Sequence, residues 1–131
     1  MAGKIVADTL EHSTAGSVTT DFVVNGSAKA WAFYKQYPSN DVPDSLNVSS
    51  LTDGGAGIGT LNWTSSFSAA QYAYAGQRSG SSNNSNAFIV EQVSADIATG
   101  SCKFCTKYLG TNSITVGDST HIGVKIHGDL A

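Results

Sequence analysis

Apolar and polar residues alternate with a period of two over most of this chain, the spacing of strands half-buried against a core. The central stretch, residues 44–77, carries the pattern most clearly. Leu46 and Val48 share one face of an opening strand. Asp53-Gly54-Gly55-Ala56-Gly57 then supplies the positive-φ positions that a reversal needs. In the returning strand, 58–64, Leu61 and Trp63 alternate against Thr60 and Asn62. A short crossover at 65–69 leads to a third strand in which Tyr72 and Tyr74 fall on one face.

The flanking segments repeat the pattern. In 28–34, Trp31 and Phe33 share a face, and Ala28, Ala30 and Ala32 share the other. Alanine and lysine also suit a short helix there. The alternating aromatics and the Asn25-Gly26 turn signal favour a strand. A loop is predicted over 36–42, which contains Pro38 and is followed by Pro43, ending regular pairing there. A polar loop is predicted over 78–86, then strands at 87–93, 102–109, 114–116 and 121–127. The last of these points Ile122, Val124 and Ile126 inward and His121, Lys125 and His127 outward. About seven or eight short strands with turn signals roughly every 8–12 residues predict an all-β fold, an antiparallel jelly-roll-like β-sandwich.

The N-terminal segment differs. Ile5-Val6 and Phe22-Val23-Val24 are short apolar clusters separated by the polar run 13–17. Neither is long enough for a core of its own. The division expected is an extended arm, 1–26, for attachment and oligomerisation, and a knob, 27–131. A frayed terminus is the plainer alternative for the arm.

Composition narrows the function classes. Charged residues are 13% of the 131, against roughly 25% in ordinary domains. With a net charge of −3 and Arg78 as the sole arginine, there is no basic stripe for nucleic acid. No apolar run is long enough to insert in a membrane. The first residues lack the apolar core of a secretion signal, so synthesis without export and reduced cysteines are expected.

Candidate chemistry is sparse. Cys102 and Cys105 form a CxxC, but on a strand that spacing sends the thiols to opposite faces, one buried and one outward, which suits neither a disulfide nor a shared metal. His121 and His127 lie roughly 20 Å apart on one strand face. A single metal would need copies of one histidine brought together around a symmetry axis. No GxSxG and no paired carboxylates appear, so the expectation is no enzyme, no metal and no cofactor. The Asn-x-Ser/Thr triplets at Asn25, Asn47, Asn62 and Asn83 are expected by chance in so serine- and threonine-rich a chain. Trp63 reads as core, and Tyr34, Tyr72 and Tyr74 as either core or recognition surface.

Several motifs occur in a recognisable order. Asn25-Gly26-Ser27-Ala28-Lys29-Ala30-Trp31 comes first, then Ser45-Leu46-Asn47-Val48-Ser49-Ser50-Leu51-Thr52-Asp53. Trp63-Thr64 and Ala70-Gln71-Tyr72 follow, and Val124-Lys125-Ile126-His127-Gly128-Asp129-Leu130-Ala131 closes the series. Their order resembles a β-rich domain of tail-fibre and related virion surface proteins of marine bacteriophages. Phe33-Tyr34-Lys35-Gln36 and the cysteine strand depart from that pattern. The resemblance implies a virion structural protein, assembled in the host cytoplasm and displayed on the virion surface as a short tail- or head-fibre knob. It implies a homo-oligomer, a trimer before a pentamer, that binds other virion proteins and contacts the host, with a surface glycan as candidate ligand. Ile5, Val6, Phe22 and Val23 would dock on the virion, and Arg78, Asn83, Asn84, Tyr72 and Tyr74 would face the receptor. The alternative is a capsid decoration protein that binds virion proteins alone. A glycan-processing enzyme is a third class, disfavoured by the missing carboxylate pair.

Overall fold

The computed structural model describes residue 3 and residues 5–79, 88–109 and 113–131. Strands make up 58% of it, with one short helix among the described residues, and every strand pairing is antiparallel. The arm holds β1 (Thr9–His12), β2 (Gly16–Thr19) and α1 (Thr20–Gly26). The remaining strands are β3 (Ala30–Lys35), β4 (Asp41–Leu46), β5 (Val48–Asp53), β6 (Ile58–Trp63), β7 (Ala73–Ser79), β8 (Phe88–Ala98), β9 (Ser101–Leu109), β10 (Ile114–Val116) and β11 (His121–His127). They form an all-β, sandwich-like fold.

Sheet I has the order β4-β3-β11-β7. Sheet II is built around β9. One edge of β9 pairs with β8, and the other is shared end to end by β6, on residues 101–105, and β10, on 107–109, with β5 beyond β6. The chain crosses between the sheets after β4, β6, β7 and β10. Inward rows from both sheets make the core: Ala30, Ala32, Tyr34, Ile122, Val124 and Ile126 from sheet I, and Leu61, Trp63, Cys102 and Phe104 from sheet II. Each large side chain fully removed from water contributes about 1.5–3 kcal/mol. Ala30 and Ala32 keep their row low, which lets the aromatic residues of the facing sheet approach.

Three expectations change here. Leu46 and Val48 do not share a strand. Asn47 between them has φ 58° and turns the chain from sheet I to sheet II. Asparagine tolerates that left-handed conformation better than most residues, and its side chain fixes the corner. Asn47 Nδ2 donates to Ser65 O at 3.0 Å, and Ser65 N donates to Asn47 Oδ1 at 2.7 Å. Second, Pro43 does not end pairing. It lies within β4, an edge strand, where a missing N–H is tolerated, and the register shift between Phe33 and Lys35 absorbs it. Third, the arm is not extended. The polar run 13–17 turns a hairpin between β1 and β2, where His12 Nδ1 accepts from Thr14 N and Ala15 N.

The two ends of the sandwich differ. At the end where the arm leaves, Trp63, Phe67 and Tyr72 pack as rings, Phe67 and Tyr72 4.7 Å apart, and the C-terminal residues pair with 66–68. At the other end β6, β9 and β10 meet at Thr106, which is fully buried. Its hydroxyl lies within hydrogen-bonding distance of Gln36 Oε1 (3.1 Å), Gly57 O (3.1 Å) and Gly117 O (2.8 Å). Gly57, at φ 68°, is required there, because a Cβ would stand 2.5 Å from Gly117 N.

Candidate ligand-binding face

Arg78 is not part of a solvated loop. It is the penultimate residue of β7, on the inward row, and only 8% exposed. Its guanidinium lies 5.2 Å from the ring centroid of Tyr108, and Nη2 donates to Asp118 O at 3.1 Å. Burial pulls its pKa down from the usual arginine value. Charge and turn residues downstream predict a loop, but the strand continues through Arg78 because its neighbours supply an aromatic face and a carbonyl. Tyr72 is likewise drawn inward. It packs on Phe67 and Trp63, and its hydroxyl reaches Ser101 O at 3.0 Å. Burial, then the nearby Cys102, pushes its pKa up. Tyr74 remains 36% exposed but lies edge-on to buried Phe104, 5.9 Å away. Asn83 and Asn84 lie outside the described residues. The candidate receptor-facing residues therefore do not come together as one described surface.

The arm residues are exposed. Ile5 is 92%, Val6 80%, Phe22 73% and Val23 43% exposed, and no residue of α1 is buried. Lys29 fastens the end of α1 to the start of the sandwich, its Nζ donating to Val24 O and, at 2.7 Å, contacting Ser27 Oγ.

The exposed aromatic surface is elsewhere, on the outer face of sheet I. The inward row of β3 is Ala30, Ala32 and Tyr34, so Trp31 and Phe33 point outward, Phe33 with 36% of its surface exposed. On the neighbouring strand Gly123 stands opposite both Phe33 and Gln77, and Lys125 opposite both Trp31 and Ala75. The glycine leaves bare backbone between the aromatic pair and β7. The result is a shallow groove of ≈ 400 Å³ lined by Trp31, Phe33, Ala75, Gln77, Gly123 and Lys125. His121 closes one end, its ring 5.6 Å from that of Phe33. The alternation of Trp31 and Phe33 is visible in the sequence, but which side of the strand faces out is not.

The charge on this face is uneven. The outward rows of β3, β11 and β7 carry Lys35, Lys125, His121 and His127 and no carboxylate. Lys35 pairs with Asp41 at 3.1 Å. Lys125 has no ion-pair partner among the described residues. The nearest carboxylate in register is Asp44 on β4, opposite Phe33 on the side away from Gly123.

Cys102 and Cys105 are both buried and not joined in a disulfide. Cys105 stands opposite Ile58 on the outward row of sheet II, yet it is only 8% exposed, so the expectation of one exposed thiol is corrected. Among the described residues no group of three histidine, cysteine, aspartate or glutamate side chains forms a metal-binding cluster. No protein-family model, curated protein or solved structure matches the chain.

Proposed function

We propose that this chain is a bacteriophage virion surface protein, a homo-oligomeric knob of a short tail or head fibre that contacts the host cell. The observation that carries the reading is the contrast between a sandwich with its own core and an arm whose apolar side chains, among the described residues, are all exposed. Ile5, Val6 and Phe22 in that state favour burial against another protein, each contributing about 1.5–3 kcal/mol when fully removed from water. The order of motifs shared with phage fibre domains supports a virion as that partner and a trimer as the assembly. The aromatic groove on sheet I, rather than Arg78 or Tyr72, is the surface offered to the host.

The exposed arm also favours the narrower alternative, a decoration protein that binds virion proteins alone. Both readings are tested on particles of the phage that encodes the chain. Antibody label is expected on the particle surface, and a chain lacking residues 1–26 is expected to be missing from particles. Particles without label overturn the virion assignment. Normal adsorption by particles lacking the protein leaves decoration as its role.

A further inference from the structure

We propose that the groove on the outer face of sheet I binds a saccharide that carries a carboxylate, such as a uronic acid. The sugar ring lies over Gly123 against Trp31 and Phe33, and the carboxylate meets Lys125. This rests on the reading of the chain as a surface protein that meets host glycans.

The groove is of a size for small ligands, ≈ 400 Å³, within the usual range of roughly 300–1,000 Å³. Aromatic faces are electron-rich and attract the polarised C–H groups of a pyranose ring. Gly123 leaves room for such a ring, since the strip between Phe33 and Gln77 is bare backbone and a Cβ there would have open space of at least 4 Å around it. The Gln77 amide offers both donors and an acceptor to hydroxyls. The charge sets the class of sugar. The chain carries net −3, yet the three strands under the groove present only cationic or neutral groups, and Lys125 stands beside Trp31 without an acidic partner among the described residues. A protein partner fits less well. Specific interfaces bury about 800 Å² on each side, whereas the two aromatic residues here are bordered by Lys125, His121 and Gln77. One lysine with two histidines is also too little charge to hold a polyphosphate backbone.

The test uses the full chain, amide-labelled, titrated with a tetrasaccharide of uronic acid and with a neutral glucose tetrasaccharide. Amides of Trp31, Phe33, Gln77, Gly123 and Lys125 are expected to shift with the acidic sugar, which binds at least about fivefold tighter than the neutral one. Lys125→Gln should weaken the acidic sugar about five- to tenfold and leave the neutral one unchanged. Trp31→Ala should abolish both, with circular dichroism confirming the fold, and Asn62→Ala on sheet II should change neither. Equal affinity for the two sugars, or indifference to Lys125→Gln, overturns the carboxylate assignment. Shifts confined to other residues, or no shift with either sugar, overturn the site. If Trp31→Ala particles fail to adsorb while no uronate binds, the ligand is wrong and the receptor reading stands. If uronate binds but particles lack the chain, the site stands and the virion reading fails.

Discussion

The outer faces of the two sheets come from the same alternation, yet the part of sheet II over β5, β6 and the start of β9 has a chemistry opposite to that of sheet I. Across β5, most of β6 and the start of β9 the outward positions of sheet II are Ser50, Thr52, Thr60, Asn62, Ser101 and Lys103; further along β9 and on β10 they become largely apolar, with Ile58, Cys105, Leu109, Ile114 and Val116. Asn62 Nδ2 donates to Ser50 Oγ and Thr52 Oγ1, each at 3.0 Å, and Lys103 pairs with Asp96 at 2.7 Å. Asn62, Ser50, Thr52 and Lys103 are thus engaged by their neighbours. On sheet I the outward row holds Trp31, Phe33 and Leu46 around a glycine gap, with Lys125 unpaired among the described residues. Single exposed apolar residues need no explanation, but neighbouring aromatics over a gap do. The polar part of sheet II bonds to itself, whereas sheet I leaves its aromatic pair and Lys125 open.

The contrast depends on strict sidedness, which a substitution in the core row tests most strongly. Ile126→Ala, on the inward row of β11, should cost about 2–5 kcal/mol in urea unfolding, and its outward neighbour Lys125→Ala within about 0.5 kcal/mol. Similar losses for the two would mean the faces are not separated as described. Next is the corner that passes the chain from one sheet to the other. Asn47→Ala loses two bonds to Ser65 and keeps an unfavourable φ, a cost of about 1–3 kcal/mol. Asn47→Gly relieves the backbone part and should cost less. An alanine variant as stable as the parent would remove the corner from the argument.

Smaller effects separate ligand binding from stability. Phe33→Thr makes the face of sheet I resemble the polar part of sheet II. It should change stability by less than about 1 kcal/mol, and it should remove saccharide binding. Asn62→Ala should cost about 0.2–1 kcal/mol through its cross-strand partners without touching binding. Binding that survives Phe33→Thr would contradict the importance of the aromatic pair.

The effect smallest at neutral pH lies under sheet I. Burial, with Cys102 and Cys105 adding to it, pushes the Tyr34 phenol pKa well up, and burial does the same for Tyr72. The folded state therefore favours the protonated phenols. Their contribution is fully present below the ordinary tyrosine value of about 10 and is lost as pH rises from there through the raised values. Melting temperature should fall above that pH, and Tyr34→Phe should reduce the fall. At pH 7 the same variant should be close to neutral, because the Tyr34 hydroxyl has no hydrogen-bond partner among the described residues. An unchanged alkaline loss in Tyr34→Phe would show that other groups carry it.

The two-residue period is legible along the chain, and with it most strands, the 53–57 reversal and the inward row Ile122, Val124 and Ile126. These are local matters: a two-residue repeat and a run of glycines act within a few positions. The inward side of β3, by contrast, is fixed only when the second sheet packs against it. Trp31 and Phe33 face out because Ala30, Ala32 and Tyr34 meet the row of the other sheet that holds Trp63 and Phe104, residues far along the chain. The same long-range pairing buried Arg78 against Tyr108 and Asp118, and it set β6 and β10 end to end along β9 at Thr106. Alternation assigns residues to two faces. Which face becomes the core depends on the area each buries when the second sheet arrives, and no local window of sequence contains that sheet.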